Sequence, residues 1–280
     1  MKFYSLPASI ILVLCIAPLQ AQILSDLGIS DTDTVIDVTE EVLPGVTNLR
    51  LGLGPVTGTD YEGDDSYDID PAPMISFHYR DLLQINNNNI RINLFGKDGL
   101  FDSTVFRAGP LLKLDTGRDE TGSPDLTGLG DVGTSIELGV FASYTYKQTR
   151  ARFRIQHDVI SGHRGLKLVG DIRYVTVSSN DLIITSTASI EWANNDFMHS
   201  YFSITPEQSI ASGLPEYNAG SGIKNIGLSL GANYTLSRHW AVVANLGYKR
   251  LIGDVARSPL VRMRGSVNQF SSGMFAVYVF

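Results

Sequence analysis

Three arginines at alternate positions, Arg150, Arg152 and Arg154, are interleaved with Ala151, Phe153 and Ile155. In an extended strand, successive side chains point to opposite faces, so the guanidinium groups share one face and the apolar groups the other. The same parity gives Arg50, Arg91, Arg107, Lys113, Lys167, Arg173 and Lys249 a face opposite apolar neighbours, joined there by Glu137, Asp171 and Glu191. Within a narrow enclosure such charges pair and hold a wall rigid. Arranged along a continuous bore, they would instead favour anions as a small pore. Both readings remain open at the level of sequence.

Chemistry of other kinds finds less support. Asp64-Asp65 and His157-Asp158 supply the residue types that activate water in a protease. The strand order below, however, predicts Asp64 and Asp158 at opposite ends of the molecule. His199 and Ser200 are adjacent and would diverge on a strand, and there is no G-x-S-x-G or H-E-x-x-H motif. Acidic residues recur between Asp60 and Asp70, but Gly63 and Pro71 stand where an EF-hand loop needs other residues. That stretch reads as a solvated loop able to share divalent cations with lipopolysaccharide. No catalytic, metal-ligating or cofactor-binding residues are expected.

What positions the inward charges is a series of alternating segments. Ile226, Leu228, Leu230, Ala232, Tyr234 and Leu236 form one face, with Gly, Ser, Asn and Thr on the other. Trp240 to Tyr248 and Ser135 to Tyr146 repeat the pattern, with aromatics at the ends where the girdles of a membrane barrel sit. Further segments at 46–56, 71–80, 83–95, 103–114, 150–158, 165–177, 181–192, 197–205 and 272–280 predict about 12 strands, within a range of 10 to 14. The expected fold is an all-β transmembrane antiparallel barrel over residues 46–280. The strand order predicts extracellular loops at 57–70, 206–224 and 251–269, and a long periplasmic connection at 115–130.

Composition and targeting fit that class. Lys2, an apolar core at 10–17 and Ala21 read as a signal peptide over residues 1–21. Residues 22–45 form an acidic extension, expected in the periplasm. The only cysteine, Cys15, lies in the signal segment, so the exported chain would have neither disulfides nor thiolate metal sites. A net charge of −7 argues against nucleic acid. No segment is long and apolar enough for a transmembrane helix, so membrane crossing requires a closed barrel. At the end of the chain, Tyr278 and Phe280 resemble the sorting signal of outer-membrane barrels, read by the barrel-assembly machinery. The expected location is therefore the outer membrane, in contact with lipid and lipopolysaccharide.

Several ordered stretches carry a family resemblance. Leu51-Gly52-Leu53-Gly54, Asp60 to Asp65, Pro71-Ala72-Pro73, Leu126 to Asp131, Tyr201 to Gln208, Ser212 to Tyr217, Gly253 to Val261 and the final Tyr278-Val279-Phe280 together resemble the MipA/OmpV family. That resemblance implies a non-enzymatic outer-membrane barrel. It further implies a scaffold for peptidoglycan-processing enzymes, a lytic transglycosylase and a peptidoglycan synthase, and the strand order would build the contact surface from residues 115–130 with the acidic extension as a second candidate. The alternatives are a narrow anion-preferring channel and a protein of surface adhesion or stress response.

Overall fold

The computed structural model describes residues 48–280, so the signal segment and acidic extension lie outside the described residues. Twelve antiparallel strands close into a barrel: β1 (Asn48–Gly58), β2 (Asp68–Tyr79), β3 (Leu83–Asn86), β4 (Asn89–Ile92), β5 (Phe106–Asp115), β6 (Ser135–Tyr146), β7 (Thr149–Asp158), β8 (Leu166–Ser178), β9 (Leu182–Ala193), β10 (Gly222–Thr235), β11 (Trp240–Leu251) and β12 (Asn268–Val279). Alternation explains the wall. Leu51, Leu53, Leu138, Val140, Phe153, Ile172, Leu228, Leu230, Leu246 and Met274 all face outward and are exposed, whereas their inward neighbours are buried or half-buried. Closure joins β1 to β12, with Leu51 opposite Tyr278 and Leu53 opposite Ala276. Gly54 permits this seam, because a Cβ there would lie 1.8 Å from the Met274 carbonyl oxygen.

The number of strands matches expectation, but two segments exchange roles. Residues 83–95, expected as one strand, fold back on themselves as β3 and β4. Residues 197–205, expected as a strand, instead contain the helix α1 (Asn195–Phe202). Asn194 caps it by accepting from the Phe197 N–H, and its buried face consists of Phe197, Met198 and Phe202. The apolar residues of this segment fall at helical rather than alternate spacing, and the cap decides between the two periods.

β3 and β4 have only four residues each, so they reinforce part of the wall's height. Above them, consecutive asparagines replace the missing ladder. The Asn87 N–H donates to the Ile75 carbonyl at 2.9 Å, and Asn87 Oδ1 accepts from the Ile75 N–H at 2.8 Å. Asn88 Nδ2 donates to the Leu114 carbonyl at 2.7 Å, and Ser76 Oγ donates to Asn86 Oδ1 at 2.8 Å. Asn87 has φ 45°, a left-handed conformation that Asn tolerates better than most residues. Higher on β2, Pro71 and Pro73 share the parity of Ile75, whose N–H points toward β3. Proline there leaves no unmatched donor along the edge.

Strand alternation also fixes the rims. Asn48 and Val279 lie at one, the terminal rim, together with the short turns after β6, β8 and β10. The other rim carries the connections after β1, β5, β7, β9 and β11, which pack into a cap. Residues 115–130, expected opposite the long loops, belong to this cap. The strand miscounted at 197–205, together with the hairpin counted as one, inverted the sides of the intervening connections. Arg264 Nη1 donates to the Asp125 carbonyl at 2.6 Å, and Gln208 Nε2 donates to the Leu129 carbonyl. Tyr61, Leu126, Leu129, Ile204, Leu214 and Leu260, from four connections, form one apolar core.

Short helices stiffen the cap. In α2 (Pro206–Ser212), Thr205 and Gln208 form a reciprocal capping box, and Gly213 ends the helix with φ 75°. Two more, α3 (Gly253–Arg257) and α4 (Pro259–Arg264), lie in the connection after β11 and bury Val255, Leu260 and Val261.

Candidate functional site

All thirteen residues singled out for the charged face sit on inward positions of strands. Arg50 is on β1, Arg91 on β4, Arg107 and Lys113 on β5, Glu137 on β6, and Arg150, Arg152 and Arg154 on β7. Lys167, Asp171 and Arg173 are on β8, Glu191 on β9 and Lys249 on β11. Ten are buried, while Arg107, Glu191 and Lys249 are half-buried. The outward charges are few, as a lipid-facing wall requires.

The structure gathers them into distinct clusters. Beneath the cap, Glu137 Oε1 lies 2.6 Å from Lys167 Nζ and 2.9 Å from His163 Nε2, with Gln156 Nε2 donating to Oε2 at 3.2 Å. The side chains of both Glu137 and His163 are 0% exposed. His163 Nδ1 accepts from the Gly165 N–H at 2.9 Å, so the ring proton sits on Nε2 and faces Glu137. Deeper, Arg152 Nε meets Asp171 Oδ2 at 2.9 Å, with Arg154 at 4.0 Å. Lys224 bridges Glu62 at 2.7 Å and Glu191 at 3.3 Å, and its ammonium stands 4.8 Å from the centre of the Phe197 ring. Near the terminal rim, Arg107 pairs with Asp81 at 2.7 Å.

Sequence reasoning missed Glu62, Asp81, His163 and Lys224. Three of them come from connections, where alternation gives no face. Lys224 falls within the loop expected at 206–224, and the register of β10 against β9 shifts between Ile223 and Asn225, which breaks strand parity there. Asp115, Glu137 and His163 bring ligand atoms within 4.8 Å of one another. Lys167 Nζ, 3.6 Å from Asp115 Oδ2 as well, already supplies that position with positive charge.

The expected separation of Asp64 and Asp158 is also revised, since both lie at the cap rim. Each is committed to its own loop. Asp64 Oδ1 accepts from the N–H groups of Asp65 and Ser66, and Asp158 Oδ2 from those of His163 and Arg164. His199 and Ser200 are helical rather than extended, and Ser200 Oγ donates to the carbonyls of Asp196 and His163. In the cap, Arg118 Nη1 donates to the Tyr201 carbonyl at 2.8 Å, and burial pushes the Tyr201 phenol well above its ordinary pKa. It therefore remains neutral.

These clusters divide the bore into two spaces. Under the cap is a cavity of about 190 Å³ lined by charges of both signs, including Lys113, Lys167, Lys224, Lys249, Asp115 and Glu191. Toward the terminal rim lies a vestibule of about 320 Å³, lined by Arg80, Arg91, Arg107, Lys147, Arg150 and Arg152, with Asp81 as the one carboxylate among its described lining residues. Arg152 borders both. At the same end of β12, Tyr278 packs edge-on against Trp240 and Phe280 on the outer surface.

Comparison with known proteins places this architecture. The outer membrane protein Omp26La of Vibrio anguillarum is 24% identical over 81% of this chain and 85% of its own length. The outer membrane protein OmpV of Vibrio cholerae is 24% identical over 58% of this chain and 61% of its own. The MltA-interacting protein of Escherichia coli is 23% identical over 51% of this chain and 56% of its own. An outer membrane channel from Pseudomonas putida F1 aligns with a TM-score of 0.45 and 12% identity, over 86% of this chain and 98% of that one. The family described as MltA-interacting protein MipA matches residues 51–280. With that match covering almost the whole barrel, the chain is an outer-membrane β-barrel belonging to the MltA-interacting protein MipA family.

Proposed function

We propose that this barrel is a non-enzymatic membrane anchor for a peptidoglycan-processing enzyme, held at the terminal rim on the periplasmic side. The observation that carries the reading is the cap. Its connections are consumed in packing against one another, which leaves the rim of short turns as the open face. Outer-membrane barrels keep their short turns in the periplasm. The name of the Escherichia coli relative points to a lytic transglycosylase as the class of partner. The contact surface moves accordingly from residues 115–130 to the terminal rim. There, residues 93–105 present Leu100, 77% exposed, and Phe101, which stacks on Phe95 at 4.5 Å. Anchoring raises the local concentration of a bound enzyme at the murein layer without new chemistry.

Pull-down of periplasmic proteins with the native barrel and with Leu100→Asp/Phe101→Asp tests this. Loss of a murein-processing enzyme from the second sample is expected. Recovery of the same proteins from both would remove the rim from the argument.

The basic vestibule favours a second reading, a narrow anion-preferring channel. Planar-bilayer recording separates the two. The anchor reading expects little steady conductance, because the cap closes one end. A large, steady, anion-selective current would favour the channel.

A further inference from the structure

At the terminal rim, a connection carries aromatic rings where the neighbouring strands carry theirs. Tyr144 and Tyr146 on β6, and Trp240 and Tyr278 at the ends of β11 and β12, face outward there, as the girdle of a membrane barrel does where it meets headgroups. Phe106, at the start of β5, stands opposite Tyr144 and so shares its outward face. Ala108, two positions on, has the same parity and pairs with Phe95, with backbone bonds of 2.9 and 3.2 Å exchanged between them. Phe101 stacks on Phe95 at 4.5 Å, and Phe106 meets Phe95 edge-on at 5.8 Å. All three rings are exposed, Phe101 by 56%.

The loop that bears this stack is fastened from inside the bore. Asp81, buried in the connection after β2 and lining the vestibule, accepts from the Lys97 N–H at 2.9 Å through Oδ2 and from Arg107 Nε at 2.7 Å through Oδ1. Its carbonyl accepts from Asn93 Nδ2 at 2.6 Å. The Phe101 N–H donates to the Leu94 carbonyl and the Gly96 N–H to the Phe101 carbonyl, both at 3.0 Å. An exposed apolar patch marks a contact with protein or with membrane. Continuity decides between them, because the stack lies on the same face and at the same rim as the girdle, and Phe106 belongs to both. We propose that Phe95, Phe101 and Phe106 form an interfacial anchor that seats in the periplasmic leaflet, at the boundary between phospholipid headgroups and acyl chains. It supplies aromatic contact on the sector where β3 and β4 have only four residues each. Leu100 lies outside the stack and stays available to an enzyme held at the rim. The proposal shares with the anchor reading only the orientation of the barrel.

A nitroxide on Phe101→Cys, in a Cys15→Ser background of the full chain reconstituted into phospholipid bilayers, reads the depth of the loop by power saturation. The measurement compares collisions with lipid-soluble oxygen and with a water-soluble nickel chelate. Labels on Leu246→Cys, exposed on the outer wall, and on Glu207→Cys, exposed on the cap, set the lipid and water limits. The Phe101 label should favour oxygen over nickel, toward the Leu246 limit. Asp81→Ala, which unfastens the loop, should shift it toward the Glu207 limit, and an unchanged depth would overturn the role given to Asp81. A label at the Glu207 limit in the otherwise native barrel overturns the proposal and leaves the stack as a surface for protein. If the Phe101→Cys variant fails to refold, Phe101→Trp keeps a ring in the stack and is read in a Trp192→Phe/Trp240→Phe background by quenching with brominated phospholipid against aqueous acrylamide. Quenching by acrylamide alone overturns the proposal equally. Neither measurement contains a partner protein, so a shallow loop and a failed pull-down are separate outcomes.

Discussion

Midway along β11, β12, β1 and β2 the inner wall is apolar, with Val56, Ala72, Met74, Ala241, Val243, Phe275 and Val277 packed together between Arg50 on the terminal side and Lys249 on the cap side. Along β6 to β9 the inner wall carries Glu137, Arg152, Arg154, Lys167, Asp171 and Glu191. The first stretch is filled mainly by shape, the second mainly by charge. Gly52 makes the first possible, because its missing Cβ would come within 3.1 Å of Val277 and 3.2 Å of Met74. The second depends on pairing, since each buried charge is tolerable only while its partner remains. A barrel interior therefore need not be a uniform polar surface, and its two sides should respond differently to substitution and to salt.

The charged side should be the more fragile. Glu137→Ala removes the carboxylate shared by Lys167 and His163 and should cost about 3–5 kcal/mol, read as a lower denaturant midpoint for the reconstituted barrel. A cost below about 1 kcal/mol would show that the lumen is wetter than its burial indicates. In the apolar stretch, Met74→Ala should cost about 2–5 kcal/mol by opening a cavity, and the loss should not change with ionic strength. Salt dependence equal to that of Glu137→Ala would erase the contrast.

The cap offers a weaker test of the same idea, because it is sealed by shape over a charged cavity. Gly128 has φ 85°, and a Cβ there would meet the Ala211 carbonyl carbon at 2.6 Å. Gly128→Ala should cost about 1–3 kcal/mol and raise proteolytic cleavage of the cap while leaving the barrel intact. The smallest effect is expected outside both regions. Arg257 and Asp254 pair at the surface of α3, and Arg257→Ala should leave the denaturant midpoint of the reconstituted barrel indistinguishable from that of the native chain.

The barrel was legible because lipid imposes alternation on every spanning strand, and the inward charges followed from the same parity. What misled was the short-range pattern of residues 197–205 and 83–95, where a helix cap and a tight turn override alternation. Miscounting there moved residues 115–130 to the wrong rim and, with them, the expected scaffold surface. Lys224, His163 and Glu62 were beyond sequence reasoning for a related reason. Their places depend on a bulge and on loops folded over one another, which no local period encodes.

The four-residue strands β3 and β4 have a consequence for the bilayer rather than for the protein. Four residues of strand rise about 13 Å, against an apolar band of about 25 Å around an outer-membrane barrel. The asparagines that continue the wall are turned into it rather than toward lipid, since Asn86, Asn87 and Asn89 are buried and the amides of Asn86, Asn87 and Asn88 are spent on neighbouring strands. The belt offered to the membrane is thus uneven, with one sector between β2 and β5 backed by strand over only about half its height.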